Sequence, residues 1–167
     1  MADFTIQRCR PGDSHYQATH DLAAALRQTS WLTADHAWHL ESHLLIAVAL
    51  NRPVGFLRFV VQQIGPECDR PSITKYGEPL REAKVLAFGV AEDQRRRGVG
   101  TALQKEMIRL ATTLGCYQVR SRSGGKNVAN HALKLSLGFG VHPTTAEDAG
   151  VFFVLPLAKD PDANVSS

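Results

Sequence analysis

The alternation of apolar and polar positions predicts a strand and then a helix at the start of the chain. An extended run covers residues 4–9 and ends at a turn that contains proline and glycine. After the turn, Tyr16, Ala23 and Leu26 form an apolar stripe with helical spacing, and Asp13 stands where a helix N-cap is expected.

A second helix and a β-hairpin are predicted next. Thr33 is the expected cap of a short helix that continues through Leu40. Two β-rich runs, 43–50 and 54–64, flank the turn-forming segment 51–53, as in a hairpin. The segment that follows, up to residue 83, has several Pro and Gly residues and no clear period.

The pattern therefore predicts a long loop over residues 65–83, and loops of this length within a domain are usually functional or mobile. One interpretation is a lid over a substrate site, with Lys75, Tyr76 and Glu78 contributing to the choice of substrate. The other interpretation is a mobile loop with no such role.

The C-terminal half has a clearer pattern. Residues 84–90 form a strand-like run, a polar segment follows at 92–97, and residues 101–114 carry apolar side chains at helical spacing. Residues 117–123 alternate as a strand, and 151–157 form a last strand.

Between those two strands, Asn127 or Asn130 is the expected N-cap of a helix that runs through Leu137 and stops at Gly138. The order β-α-α-β-β-β-α-β-α-β has no internal repeat and indicates an α/β or α+β domain around one central sheet. We assign this domain to residues 1–158 and expect residues 159–167 to be a disordered tail.

Composition narrows the class of protein. The chain has 167 residues, 44% hydrophobic and 21% charged, as expected for one globular domain. The net charge is only +3, so strong attraction to an anion requires local clustering of Lys and Arg, and a nucleic-acid partner gains no support.

Three widely spaced cysteines match neither a disulfide framework nor a zinc motif. The N-terminus lacks the apolar core of a secretory signal, and no apolar run approaches the ~20 residues of a membrane helix. We therefore expect a cytoplasmic protein with no membrane partner.

The most informative segment is 94–101, Gln-Arg-Arg-Arg-Gly-Val-Gly-Thr, which joins the end of a strand to the start of a helix. Free backbone N–H groups and the positive end of the helix dipole meet there, and glycines let a phosphate approach the main chain. The segment predicts a binding site for a phosphorylated ligand. The alternative is a solvated turn.

Two other phosphate-binding schemes compete with this interpretation. A dinucleotide fingerprint requires a third glycine where Leu103 stands, although Arg120 and Arg122 could contact the 2′-phosphate of NADP. A P-loop requires glycine at position 120 and Ser or Thr in place of Asn127. The P-loop is rejected, and an NADP-binding domain is kept as a third hypothesis.

At the level of motifs, residues 90–100 resemble the V-x-P-x-x-R-x-x-G-x-G pyrophosphate motif of the general N-acetyltransferase (GNAT) superfamily, with Glu92 in place of proline. The segment from Asn127 to Phe139 resembles the second signature of that superfamily, N-x-x-A-x-x-x-Y-x-x-x-G-F, when shifts in its middle are allowed. Together the two motifs are more specific than either alone.

The resemblance implies a single GNAT-like domain of order β-α-α-β-β-β-α-β-α-β-β. It implies a mixed, mostly antiparallel central sheet of about six to seven strands, flanked by about four helices. It also implies that acetyl-CoA is the co-substrate and that the strand before the phosphate loop diverges from its neighbour, leaving backbone for pantetheine to pair with. The residues implied in acetyl-CoA binding are Phe88, Val90, Arg95, Arg96, Arg97, Gly98, Val99, Gly100, Thr101 and Asn127.

The chemistry implied is direct attack of an amine on the thioester, with the amide of Val90 polarising the carbonyl. The family often supplies the leaving-group acid from a tyrosine at the position of Lys134. Lys134 either stabilises the thiolate or is an exposed helix residue, and His131, one turn earlier, is either a catalytic partner or structural. The candidate general bases, which the sequence does not distinguish, are Glu82, Glu92 and Asp93.

His36, His39 and His43 would share one face of a helix and raise the hypothesis of a metal site. A packed amphipathic helix explains the same spacing, and the family needs no metal. We therefore assign no metal site.

The sequence predicts an N-acetyltransferase that acts on a primary amine of an unidentified small molecule or peptide, and a homodimer is left open. A catalytically degenerate acyl-CoA-binding regulatory module is the alternative. Arg120 and Arg122 share one face of their strand, where they meet an acidic group of the acceptor, face solvent or pair with Glu106.

Overall fold

The computed structural model describes residues 3–143 and 150–157. Its principal strands and helices, in chain order, are β1 Thr5–Arg8, α1 Tyr16–Ala25, α2 Thr29–Thr33, β2 Glu41–Ala49, β3 Arg52–Gln63, β4 Thr74–Lys75, β5 Glu78–Pro79, β6 Arg81–Val90, α3 Val99–Thr113, β7 Gln118–Gly124, α4 Val128–Ser136, β8 Gly140–Pro143 and β9 Gly150–Pro156. Two 3₁₀ turns lie at Pro66–Cys68 and Glu92–Gln94. The tail predicted at 159–167 lies outside the described residues.

Seven strands form one sheet in the order β1-β2-β3-β6-β7-β9-β8, and β4 and β5 pair separately. Neighbouring strands of the large sheet are antiparallel except β6 and β7, which are parallel. This mixed sheet with four helices is the α/β GNAT-like fold implied by the two sequence motifs. Periodicity alone missed β8, but the motif-based order includes it.

The hairpin of β2 and β3 is confirmed, but its turn consists of Leu50 and Asn51 rather than of residues 51–53. Leu50 and Asn51 have φ values of 50° and 57°, the left-handed conformation required at both central residues of the tight hairpin turn that matches strand twist. Every residue of β3 from Pro53 to Gln62 is buried, as expected for a strand with neighbours on both edges.

Helices cover both faces of the sheet, and successive residues of β2 pack on opposite faces. Leu45 belongs to the larger hydrophobic cluster, which includes residues of α3. Ile46 belongs to a second cluster with residues of α1 and α2. The helix of the pyrophosphate motif therefore packs on one face and the two N-terminal helices pack on the other.

Two predicted helix starts are wrong. Asp13 does not cap α1, because its carboxylate accepts a hydrogen bond from the backbone N–H of Arg10 at 2.7 Å and the helix begins at Tyr16. Thr33 ends α2 rather than starting a helix, so residues 34–40 are not helical. Of the two proposed caps of α4, Asn127 is confirmed, because its side chain accepts from the N–H of Asn130 at 3.2 Å.

Candidate functional site

The cleft begins where β6 and β7 diverge. The two strands pair from Glu82 and Gln118 to Val85 and Ser121, and no pairing continues beyond that point. Arg58 and Phe59 of β3 pair with Ala87 and Val85, so that Leu86 is an extra residue on β6. This bulge bends β6 away from β7 and leaves the β7-facing backbone of its last residues available to a ligand.

A cavity of about 930 Å³ fills the gap between the diverging strands. Its walls are the C-terminal half of β6, the start of α3 and the end of β7. The turn between β7 and α4, together with α4 itself, completes the lining. Leu26, Gln28 and Trp31 close it from the side of α1 and α2. The volume is in the range of ~300–1,000 Å³ that small-molecule and cofactor sites occupy.

One end of the cleft lies at the N-terminus of α3, where the sequence predicts a phosphate-binding site. Gly98 is the N-cap of α3 with a φ of 82°, and the first hydrogen bond of the helix runs from the N–H of Ala102 to the O of Gly98 at 3.0 Å. The N–H groups of residues 99–101 therefore precede the hydrogen-bonded ladder of the helix, at the positive end of its dipole. A side chain at position 98 would contact nothing within 4 Å, so the space over this glycine is open.

The residues predicted to bind acetyl-CoA line this cleft with one exception. The exposed Arg97 is not part of the lining, whereas Arg95 and Arg96 are. Gly100 has a packing role as well, because a Cβ there would lie 3.2 Å from Cζ of Phe88 and 3.5 Å from Cδ2 of Leu133. Glycine thus lets α3 approach β6 and α4 closely.

The orientation of the backbone N–H groups in β6 determines that the N–H of Val90 faces the cleft. The N–H of Ala91 donates to the O of Val54 on β3 at 2.8 Å. Because successive N–H groups of a strand point to opposite edges, the N–H groups of Val90 and Phe88 point away from β3, into the cleft.

Lys134 is buried in the wall of the cleft, with 1% of its surface exposed, so it is not an exposed helix residue. Its Nζ donates to Oγ of Ser121 and lies 5.4 Å from the centroid of the Phe153 ring. Burial lowers the pKa of this amine to about 8. Among the described residues no carboxylate forms an ion pair with Lys134, so nothing on the described protein neutralises its charge.

His131 has a structural position instead. Its Nε2 lies 2.9 Å from the carbonyl oxygen of Gly124, and its ring packs 5.3 Å from that of Phe153. It is not among the residues that line the cleft. The contact fastens α4 to the end of β7, so the structural interpretation of His131 is the one that fits.

None of the three proposed general bases lines the cleft. Glu82 is buried and accepts hydrogen bonds from Arg120, Gln118 and Gln62. Asp93 pairs with Arg52 at 2.7 Å, which lowers the pKa of the carboxyl, and Glu92 is exposed. The described lining contains no Asp or Glu side chain at all.

A partly buried charge cluster, which the sequence pattern did not indicate, adjoins the cleft at Lys84. Glu67 pairs with both Lys84 and Arg120, and Arg120 also pairs with Glu82 at 2.8 Å. Burial lowers the pKa of Lys84 to about 8, with smaller contributions from the charges of Arg120 and Arg122. Arg120 does not pair with Glu106, which binds Arg109 at 2.6 Å.

The cluster also changes the view of the segment predicted to be a lid. Glu67 anchors it to β6 and β7, and the N–H groups of Ile73 and Leu80 bond to Ile64 and Ile73 at 2.9 Å and 2.8 Å. No residue of 65–83 lines the cleft. In the conformation described the segment therefore does not cover the cleft, and it contains the β4–β5 pair and the start of β6 instead of being a loop throughout.

We expect Glu67→Gln to loosen residues 65–80, because the segment loses its ion pairs with Lys84 of β6 and Arg120 of β7, and Arg120 keeps only Glu82. The loss of a part-buried charge-assisted pair should lower the free energy of unfolding by about 1–3 kcal/mol. Urea unfolding measures that change, and hydrogen exchange locates it. Glu78→Gln, an exposed change in the same segment, is the matched control, and equal exchange in both variants would contradict the anchoring role.

The proposed metal-binding histidines do not share a helix. His36 and His39 lie in the non-helical segment before β2, and His43 lies in β2 with its Nε2 2.9 Å from Glu41. His36 stacks on Trp38 at 4.7 Å. Within residues 3–143 and 150–157, no group of three or more potential metal ligands occurs.

Two further observations concern NADP binding and membrane-spanning helices. Arg120, one of the two arginines proposed for the 2′-phosphate of NADP, is engaged by Glu67 and Glu82. The side chain of Leu103, which stands where a dinucleotide fingerprint requires glycine, is fully buried. None of the described helices is long and apolar enough to cross a membrane.

Comparison with known proteins identifies the architecture. Residues 12–139 match the family model described as the acetyltransferase (GNAT) family. No curated protein sequence matches the chain.

Solved structures share the fold at low sequence identity. NAA60 of Arabidopsis thaliana in complex with acetyl-CoA has a TM-score of 0.72 at 13% identity, over 92% of this chain and 98% of that one. The ribosomal-protein-S18-alanine N-acetyltransferase of Escherichia coli has a TM-score of 0.65 at 16% identity, over 95% and 97%. Ard1 of Thermoplasma volcanium has a TM-score of 0.58 at 20% identity, over 94% and 99%.

Proposed function

Because the chain belongs to the acetyltransferase (GNAT) family, we propose that it is an acetyl-CoA-dependent N-acetyltransferase that acetylates a primary amine by direct attack. The observation that carries the proposal is the divergence of β6 and β7 beyond Val85 and Ser121, directly beside the N-terminus of α3. This arrangement joins a phosphate-binding end to an open strand edge in a single cleft.

Acetyl-CoA would be held at two places along that cleft. The N–H groups of residues 99–101 and the guanidinium groups of Arg95 and Arg96 would bind the pyrophosphate. The unpaired edge of β6, with the N–H groups of Phe88 and Val90, would pair with the pantetheine amides.

Transfer requires that the amine nitrogen bond to the acetyl carbon while the carbon–sulfur bond of the thioester breaks. The N–H of Val90 would stabilise the oxygen that becomes negative during attack. The protonated amine of Lys134 would stabilise the departing thiolate or protonate it, and the proton lost by the attacking amine balances the step. No covalent intermediate on the protein is needed.

A second candidate function, an acyl-CoA-binding regulatory module, is favoured by one observation. The described lining has no carboxylate that could remove a proton from the acceptor. An amine that enters the cleft already deprotonated needs no such base. The lack of a carboxylate in the described lining therefore supports the regulatory module only if the protein acetylates no amine.

Calorimetric titration tests the first step of this proposal and separates it from NADP binding. We expect saturable binding of acetyl-CoA and none of NADPH, because Arg120, one of the two arginines expected at the 2′-phosphate, is held by two carboxylates and Leu103 replaces the third glycine of the fingerprint. Binding of NADPH but not of acetyl-CoA would overturn the assignment.

The acceptor is a small-molecule amine or the amine of a peptide in this proposal. A relative in fold, the Escherichia coli enzyme, is named for the alanine of a ribosomal protein, which supports including peptides among the candidates.

A further inference from the structure

On the side of α1 and α2, the cleft has a large aromatic side chain that is open to water. Trp31 of α2 lines the cleft, and 50% of its surface is exposed. Single apolar side chains are common on protein surfaces, so exposure alone does not indicate a ligand. The way in which Trp31 is held, and a second ring on the same face, give it a meaning.

The backbone of Trp31 is fixed from within the sheet. Arg58 of β3 is buried, and its Nη1 donates to the carbonyl oxygen of Trp31 at 3.0 Å while its Nε donates to Oγ of Ser42 at 3.1 Å. That carbonyl belongs to the last turn of α2, where carbonyl groups lack a partner within the helix and a cation is favourable. A buried guanidinium thus holds the exposed tryptophan in place at the cleft.

A second aromatic ring lies on the same face of the sheet. Phe153 belongs to the hydrophobic cluster on the α3 face, so its neighbour Phe152 points to the α2 face. Phe152 is partly exposed, lines the cleft and has the Arg120 guanidinium 5.2 Å from its ring centroid. Because Glu67 and Glu82 hold Arg120, this ring also rests on a fixed support.

The gap between β6 and β7 lies between these two aromatic residues. α2 and β6 share one hydrophobic cluster, and β9 lies on the far side of β7. Leu26 adds apolar surface beside Trp31, and it sits so close to β6 that a Cβ at Gly89 would lie 2.7 Å from its Cδ1. An amine that enters from this face to reach the thioester would therefore have apolar surface on both sides.

We propose that the acetyl acceptor is an amine with an aromatic or aliphatic body, and that this body packs between Trp31 and Phe152. The inference rests on the proposed function and names the substrate class of the same site. The reaction is the acetyl transfer already described: the amine nitrogen bonds to the acetyl carbon and loses a proton, and CoA leaves as the thiol. Two sources share this chemistry, a free arylalkylamine and a peptide whose first residue has an apolar side chain.

Matched acceptors test the proposal. One arm compares 2-phenylethylamine with ethanolamine, and the other compares peptides beginning with Leu or Phe with the same peptides beginning with Ser or Asn. The rate of CoA-thiol release gives kcat/KM for each acceptor, and spermidine is assayed beside them. We expect a preference of about tenfold or more for the apolar member in one arm, because only that member buries its body against the two rings. The arm that shows the preference identifies the source.

Variants then connect the preference to the two rings. Trp31→Ala and Phe152→Ala should each remove most of it, by lowering kcat/KM for the apolar member while the polar member and the Kd of acetyl-CoA change less than about threefold. Trp31→Phe should retain most of the preference. Leu40→Ala is the control, because Leu40 is 53% exposed and does not line the cleft.

Fluorescence gives a measurement that does not depend on turnover. The chain has two tryptophans, Trp31 and Trp38. The indole N–H of Trp38 is buried without a partner among the described residues, so Trp38→Phe loses no hydrogen bond there and leaves Trp31 as the reporter. With CoA in place of acetyl-CoA, the apolar acceptor should shift the emission to shorter wavelengths, because the indole loses water, and the polar acceptor should not.

The proposal is overturned if paired acceptors turn over alike, if spermidine is the best acceptor, if Trp31→Ala slows both members equally, or if a saturating apolar acceptor leaves the Trp31 emission unchanged. A failure of the proposed function looks different, because then no amine of any class releases CoA, and the acceptor inference falls with it. Circular dichroism and thermal melts of the variants establish that they are folded, and Phe152→Ala provides an independent test if Trp31→Ala is not.

Discussion

Gly98→Asp is expected to abolish acetyl-CoA binding, with at least a hundredfold rise in Kd measured by calorimetry. Gly98 is the N-cap of α3, and the space over it is open because a Cβ there would contact nothing within 4 Å. The aspartate would place its charge beside the N–H groups of residues 99–101. Two like charges ~4 Å apart repel by about 4 kcal/mol at an effective dielectric constant of ~20, so the effect should be large.

Gly98→Asn is the matched control, since it has the same size and meets the same left-handed backbone with a φ of 82°. Aspartate and asparagine both tolerate this conformation better than most side chains do, and both are good N-cap residues. Asparagine should therefore weaken binding far less than aspartate. Equal affinity of folded Gly98→Asp and the parent protein would show that the pyrophosphate binds elsewhere.

The second large effect is expected at Lys134, where this chain departs from the tyrosine of the family signature. Lys134→Ala should lower kcat by tenfold to a thousandfold while the Kd of acetyl-CoA changes little, because the interaction strengthens only as charge develops on sulfur. That range corresponds to a barrier increase of ~1.4–4 kcal/mol. Steady-state assays of CoA-thiol release give kcat, and calorimetry gives the Kd of acetyl-CoA.

The pH dependence gives a signature that a packing role would not produce. The pKa of Lys134 is lowered to about 8, so the protonated form that the mechanism needs is lost as pH rises through that value. The kcat of the parent protein should fall above pH 8, and that limb should be absent in Lys134→Met, which retains the side-chain volume. Lys134→Tyr should retain more activity than alanine. Equal turnover of all the variants would mean that solvent protonates the thiolate.

Local signals in the sequence were sufficient to predict the elements that form the proposed phosphate site. The run Arg-Arg-Arg-Gly-Val-Gly before an amphipathic helix predicts a helix N-terminus with room for a phosphate, and the structure has α3 beginning at Val99 behind a left-handed Gly98. The turn between β2 and β3 was accessible only in part. Asn51 favours the left-handed conformation that a tight hairpin demands, but Leu50 does not, so the sequence predicted the hairpin and misplaced its turn at residues 51–53.

Helix starts in the N-terminal region were not predictable in the same way. Thr33 has the side chain of a good cap, yet α2 ends there. The residues that follow are held by the local stacking of His36 on Trp38 and by a tertiary hydrogen bond from the N–H of Leu40 to the O of Val61 at 2.8 Å. The short N-terminal helices depend on packing against β3 and β6, which competes with local capping preferences.

Ion pairs between residues far apart in the sequence also could not be predicted from hydrophobic periodicity. Glu67 meets Lys84 across 17 residues and Arg120 across 53 residues of sequence. Nothing in the local pattern distinguishes these charges from solvated ones, and only the parallel pairing of β6 and β7 brings them together. The same limitation left Lys134 undecided between an exposed and a buried position, which the packing of α4 against Ser121 and Phe153 determines.

Acetyl transfer itself is tested most directly by following a labelled acetyl group from acetyl-CoA into a panel of amines while free CoA thiol is measured in parallel. We expect at least one amine to gain the label in equal amount to the thiol released, and Gly98→Asp to stop both. Tight binding of acetyl-CoA with no label in any amine would contradict acetyl transfer and would establish the regulatory module instead.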